Sequence, residues 1–140
     1  MITNEHEVTV ACPIEGVFQY VTDIGTWRQW HGVNEAEKTT PGPVDVGTVW
    51  KVSGAVQGQP IVLTIEVTEH EPNSRFGFKT TSGPIDARQV FAFERVEGGT
   101  RLTTAIELTN LQIAQAARQQ WDNDLFKLKE LLEAQAHGNP

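Results

Sequence analysis

The stretch Phe91–Leu108, FAFERVEGGTRLTTAIEL, decides the fold. It holds two runs of alternating apolar and polar residues, separated by Gly98-Gly99. Such a pattern marks two half-buried strands joined by a tight hairpin. With Gly98-Gly99 as the two turn residues, Glu97 pairs with Thr100, Phe93 with Thr104, Phe91 with Ile106 and Gln89 with Leu108. All of these share one face, and the opposite face carries Glu94 with Thr103, Ala92 with Ala105 and Val90 with Glu107. The first face is the interior one, because a strand alternates its side chains and only that set is rich in large apolar groups.

Upstream, period-two patterning runs back to about Val33 and is interrupted at Pro41-Gly42-Pro43, Gly58-Gln59-Pro60, Pro72-Asn73-Ser74 and Ser82-Gly83-Pro84. Six strands with short connections predict an antiparallel meander. Before it, residues 4–11 read as a first strand, with Val8 and Val10 set against Glu7 and Thr9. Pro13 suits the first position of a helix over 13–22, and Asp23 suits the cap of a second short helix carrying Trp27 and Trp30. Downstream, Ala114, Ala117, Trp121, Leu125, Leu128 and Leu132 form one stripe of a helix over 111–136, with Asn110 as N-cap and Gly138 as stop. At 1.5 Å per residue that helix is roughly 39 Å long, enough to cross a small sheet. The expected fold is α+β: a seven-stranded curved antiparallel sheet around a long C-terminal helix, with two short helices after the first strand.

A sheet and a helix held apart by two short helices enclose a space that large side chains either fill or leave hollow. Phe76, Phe78, Phe91, Phe93 and Trp121 are the inward aromatics, and Thr80, Gln89 and Thr104 the inward polar groups. Aromatic stripes most often are plain core. Composition narrows the function further. The 140 residues carry 18 acids against 11 bases, a net charge of −7, and residues 1–70 hold −6 of it. That balance argues against nucleic-acid binding, which depends on phosphate neutralisation, and disfavours strongly anionic ligands near the first half. No stretch is long and apolar enough to span a bilayer, and the N-terminus shows no secretory pattern. With Cys12 the one cysteine, the expectation is a cytoplasmic, single-domain protein over residues 1–140.

The order of elements, with GTWRQWHGV (25–33), GPVDVGTVW (42–50) and FAFERVEGGTRLTTAIEL (91–108), resembles the START-like or Bet v 1-like superfamily. Within it, the chain is most similar to the bacterial polyketide cyclase/dehydrase and lipid-transport (SRPBCC) group. The resemblance implies a helix-grip fold with a hydrophobic pocket between the sheet and the C-terminal helix. It places Trp30 near the pocket mouth and Gly47 and Trp50 at the start of a strand, with Trp30 and Trp50 touching the ligand.

Catalytic signatures are sparse. His31, after Trp30 and before Glu35 and Glu37, is the weak candidate for acid–base chemistry, its plain alternative being a solvated loop histidine. His70, between Glu69 and Glu71, reads as an end-of-strand cluster, and His6 and His137 lie near the termini. There is no metal-ligand spacing, nucleophile elbow or phosphate-binding glycine loop, so neither a metal nor a cofactor is expected. Arg95 shares the inward parity of Phe91 and Phe93 and is a candidate for a ligand anion. The leading reading is a binding protein for a small hydrophobic molecule: a lipid, an aromatic polyketide or an isoprenoid-like compound. Trp30, Trp50, Phe78, Gln89, Phe91, Phe93, Thr104, Trp121 and Leu125 are the expected ligand contacts. A cyclase or dehydratase using the same pocket is the alternative. A protein-interaction module of the Hsp90-activator or toxin–antitoxin type is the third reading, and a homodimer is compatible with all three.

Overall fold

The computed structural model describes residues 2–56 and 58–137. Strand β1 (Ile2–Val10) leads into α1 (Ile14–Thr22) and a 3-10 helix (Ile24–Gln29). Six strands follow: β2 (Val33–Lys38), β3 (Val49–Val56), β4 (Gln59–Glu71), β5 (Arg75–Ser82), β6 (Ala87–Val96) and β7 (Gly99–Leu108). Helix α2 (Leu111–His137) ends the described chain. The sheet is antiparallel in the order β1-β7-β6-β5-β4-β3-β2, and its two edges do not meet. Register shifts in the β2–β3 pair at Val33/Glu35 and in the β4–β5 pair at Thr64/Ile65 and Val67/Glu69 mark bulges. Such bulges bend strands and let the sheet curve around the helix.

The last hairpin differs from its sequence reading by two residues. Val96 pairs with Gly99, Phe93 with Leu102, Phe91 with Thr104 and Gln89 with Ile106. The turn residues are Glu97 and Gly98, and of these Gly98 takes the left-handed backbone, at φ +83°. Gly99 belongs to the strand. A Cβ there would collide with the Val10 carbonyl, so close approach of β1 is what requires it. A shift of two preserves every side chain's face, so the interior set of Gln89, Phe91, Phe93, Thr104 and Ile106 stands.

The short helices begin as local chemistry dictates. Pro13 is the N-cap of α1 rather than its first helical residue, with its carbonyl accepting from Val17 N at 3.2 Å. Asp23 caps the 3-10 helix, its Oδ1 accepting from Gly25 N at 3.1 Å. The Trp27 indole N–H donates to the Val21 carbonyl at 2.9 Å, locking the two short helices together. Asn110 caps α2 through Oδ1 and Ile113 N at 3.0 Å. The expected stop at Gly138 lies outside the described residues.

On α2, Ala114, Trp121, Leu125, Leu128 and Leu132 are buried, as their spacing predicts. Its seam with β1 is polar. Asn4 Nδ2 donates to the Ala114 carbonyl at 2.8 Å, and Asn4 Oδ1 accepts from the Arg118 guanidinium at 3.0 and 3.2 Å. His6 is not a frayed terminal histidine: it is buried, with Nδ1 2.7 Å from Asp122 Oδ1.

Candidate functional site

A cavity of about 270 Å³ lies between the sheet and the first half of α2. Its position follows from side-chain size. Toward the middle of α2, Trp27, Trp121 and Phe91 meet edge to face, with centroids 5.8–6.0 Å apart, and fill the gap. Toward the helix start, Ala116 and Ala117 present methyl groups, facing Ile106 and Leu108 of β7 and Gly54 and Ala55 of β3 across the open space. Ile61, Leu63 and Ile65 of β4 complete an apolar wall.

Of the expected ligand contacts, Phe78, Gln89 and Trp121 line this cavity, and so does His31. The others stand elsewhere. Trp30 packs behind the wall against Trp27 and Trp121, at centroid distances of 5.1 and 6.0 Å. Phe91 lies under the same pair and stacks on Phe76. Phe93 packs on Phe18 of α1, and Leu125 is buried further along α2. Trp50 points into the core rather than outward, paired across the sheet with Ile65, but it does not reach the wall. Thr104 is not on the wall but is hydrogen-bonded to Gln89, which is. The inward parity of Arg95 does not bring it to the cavity: β6 extends past the core there, and the guanidinium meets Glu15 in solvent at 2.5 Å.

The Gln89 carboxamide is oriented by its neighbours. The Thr104 hydroxyl donates to the Val90 carbonyl at 3.1 Å, so its oxygen must accept, and Gln89 Nε2 donates to it at 3.0 Å. That leaves Gln89 Oε1 as an acceptor with no hydrogen-bond partner among the described residues. Thr80, beside it on the wall, has its hydroxyl engaged by both the N–H and the carbonyl of Ala87.

His31 is the second polar feature. Its Nδ1 lies 2.5 Å from Oδ2 of Asp124, and the other Asp124 oxygen accepts from Gln120 Nε2 at 2.8 Å. The imidazole stacks on Trp121 at 4.3 Å and meets Trp27 edge-on at 5.4 Å. Facing a carboxylate, Nδ1 carries a proton, and Nε2 is the ring nitrogen that Asp124 does not engage. The carboxylates expected beside His31, Glu35 and Glu37, are exposed on β2 and do not pair with it. Asp124, which does, is only 5 % exposed. The sequence signal for Asp124 was present: it stands three after Trp121 and four before Leu128, a charged residue at a core spacing of the helix.

Residues 1–133 match the family described as polyketide cyclase/dehydrase and lipid transport. The chain belongs to that family. Solved structures carry the same helix-grip fold. A START superfamily protein from Mycobacterium smegmatis superposes with a TM-score of 0.82 at 16% identity, covering 95% of this chain and 98% of that one. The Zhui aromatase/cyclase from Streptomyces sp. R1128 gives 0.80 at 15% identity, covering 97% and 96%. The structure of Ara h 8.0201 gives 0.73 at 15% identity, covering 94% and 97%. No curated protein matches the sequence.

Two other polar groups are shaped by burial and lie off the cavity wall of this family member. Burial pushes the Cys12 thiol above its ordinary range, with Glu133 adding to the shift, and Sγ–H donates to the Leu132 carbonyl at 3.3 Å. Burial likewise raises the Tyr20 phenol, whose hydroxyl donates to Gln29. His70 is half-buried with its ring edge-on to Phe18, which makes it a packing residue of β4. Among the described residues no group of three or more His, Cys, Asp or Glu is arranged to hold a metal ion, and no helix is long and apolar enough to cross a membrane.

Proposed function

We propose that this protein binds a small hydrophobic molecule in the cavity between the sheet and α2. The observation that carries the reading is the hollow itself: space of about 270 Å³ walled by aliphatic and aromatic side chains, with Gln89 and His31 among the few polar groups. Apolar burial supplies the affinity of such sites and a few placed polar groups supply orientation. Native mass spectrometry of the freshly purified protein, followed by a thermal-shift panel of apolar compounds, tests it. A co-purified small molecule or a saturable upward shift is expected. A ligand-free spectrum with no shift across the panel would overturn the reading.

The His31–Asp124 pair favours a second reading, in which the bound molecule is also transformed. An imidazole held by a carboxylate at Nδ1, with Nε2 available beside an apolar cavity, has the arrangement of a general base. Such a base removes a proton next to a carbonyl and returns it in enolisation, aldol closure or dehydration, the chemistry of a cyclase or dehydratase. His31→Gln would then lower turnover of an identified substrate by about 10²–10⁴-fold with its affinity retained. Unchanged turnover would exclude this role.

A further inference from the structure

We propose that the cavity selects an uncharged, hydroxyl-bearing compound of about two fused rings and discriminates against the corresponding carboxylate. The inference rests on the binding reading above and specifies the ligand class.

Size comes first. An apolar cavity of about 150 Å³ accepts one benzene ring, so about 270 Å³ is room to enclose about two rings. Charge comes second. Neither Lys nor Arg is among the residues that line the cavity, and its one titratable wall residue, His31, is backed by the buried carboxylate of Asp124. An anionic ligand would lose its hydration at a wall without lysine or arginine and would face that carboxylate through one imidazole.

Hydrogen-bond polarity is the third point. Gln89 directs Nε2 to Thr104, Gln120 directs Nε2 to Asp124, and His31 directs Nδ1 to Asp124. Each thereby commits one donor to the protein and leaves an acceptor, Gln89 Oε1, Gln120 Oε1 and, on the neutral ring, His31 Nε2, while each glutamine keeps one further N–H. Open acceptors beside spare amide N–H groups are matched by a hydroxyl, which both donates and accepts, and not by a carboxylate, which only accepts.

Naphthalene, 2-naphthol and 2-naphthoate, of nearly equal size, separate these effects when titrated calorimetrically into the full chain at neutral pH. The expected result is that 2-naphthol binds about three- to tenfold tighter than naphthalene, the value of one net hydrogen bond, and that 2-naphthoate binds at least about tenfold more weakly than 2-naphthol. Gln89→Leu should erase or halve the preference for naphthol while leaving naphthalene affinity intact, and His31→Phe should do so if Nε2 is the acceptor used. Naphthalene affinity serves as the check that each variant keeps its cavity. Equal or tighter binding of 2-naphthoate would overturn the proposal, as would a naphthol preference that survives both substitutions. If naphthalene binds without any naphthol preference, the ligand class alone is wrong. If none of the three binds, this ligand class is wrong, and the binding reading falls with it only if the native spectrum is ligand-free and the apolar panel gives no shift.

Discussion

Gly98 and Gly99 stand side by side in the last hairpin and answer different constraints. Gly98 holds a φ of +83° with open space where a Cβ would sit, so Gly98→Ala should cost about 1–2 kcal/mol of backbone strain. Gly99→Ala should cost more, because the added Cβ meets the Val10 carbonyl and the Ala11 Cα, backbone atoms that no rotamer change can move. Urea unfolding of the two variants checks the order, and a smaller loss at Gly99 would show that β1 does not pass as closely as described. Sequence showed that two glycines ended the strand but not which one made the turn. That depends on β1, which the chain completed nearly ninety residues earlier. Cys12 yields a residue-scale prediction of its own. Burial raises its thiol in the folded state, so the thiolate is disfavoured and iodoacetamide should react slowly at mildly alkaline pH until the protein is unfolded. The sign for stability is the same: the unfolded chain releases that proton first, so the stability present below the ordinary thiol range declines as pH rises through it. Fast alkylation of the native protein would contradict this placement.

Helix α2 carries three sets of contacts on one cylinder. The apolar stripe was legible because its spacing is periodic, and Leu128, fully buried at its centre, should cost about 2–5 kcal/mol when cut to Ala. The polar seam with β1 was not legible. Asn4 and His6 interrupt an otherwise ordinary edge-strand pattern, and their partners Ala114, Arg118 and Asp122 lie more than a hundred residues away. Burial sets the relative weight of these contacts. Asn4 is 2% exposed and uses both ends of its amide, so Asn4→Ala should destabilise by about 1–3 kcal/mol by removing its bonds to the buried Ala114 carbonyl and to the Arg118 guanidinium. Asp122 is 67% exposed on its side chain, where solvent screens its charge, but cutting it strands the His6 ring, only 2% exposed. Asp122→Ala should therefore cost about 1 kcal/mol, less than Asn4→Ala. Denaturant midpoints of the two variants test the order, and an equal or reversed ranking would mean that the seam is held by charge rather than by the amide. The same burial logic made Asp124 a missed site residue: on a helix read as a stripe, a charged residue at core spacing looks like a defect until His31 is seen to face it.

At the scale of the whole molecule, the second half of α2 packs over the sheet, while the first half is tied to edge strand β1 through Asn4 and lines the cavity over the remaining strands. Whether aromatic side chains fill such a fold is decided by where they fall along the helix. The strand pattern placed Phe76, Phe78, Phe91 and Phe93 on the inner face, yet of these only Phe78 reaches the cavity, since Trp27 and Trp121 cover Phe91. The hollow begins where α2 turns to alanine, and substitution there tests whether it is real space. Ala117→Leu adds three carbons at the wall. At about 0.8 kcal/mol per buried CH₂ they can contribute up to roughly 2 kcal/mol of stability if they enter empty volume, whereas in a close-packed core they would cost about 1–3 kcal/mol by overpacking. Ligand binding should move the opposite way. An apolar ligand at a hundred times its Kd stabilises the native chain by about 2.7 kcal/mol, and that increment should vanish once leucine occupies its place. A variant that melts higher alone and no longer responds to ligand is therefore the expected signature of a binding cavity. A variant that melts lower, with its ligand response intact, would mean that the helix and sheet already close at Ala117 and that any ligand is held elsewhere.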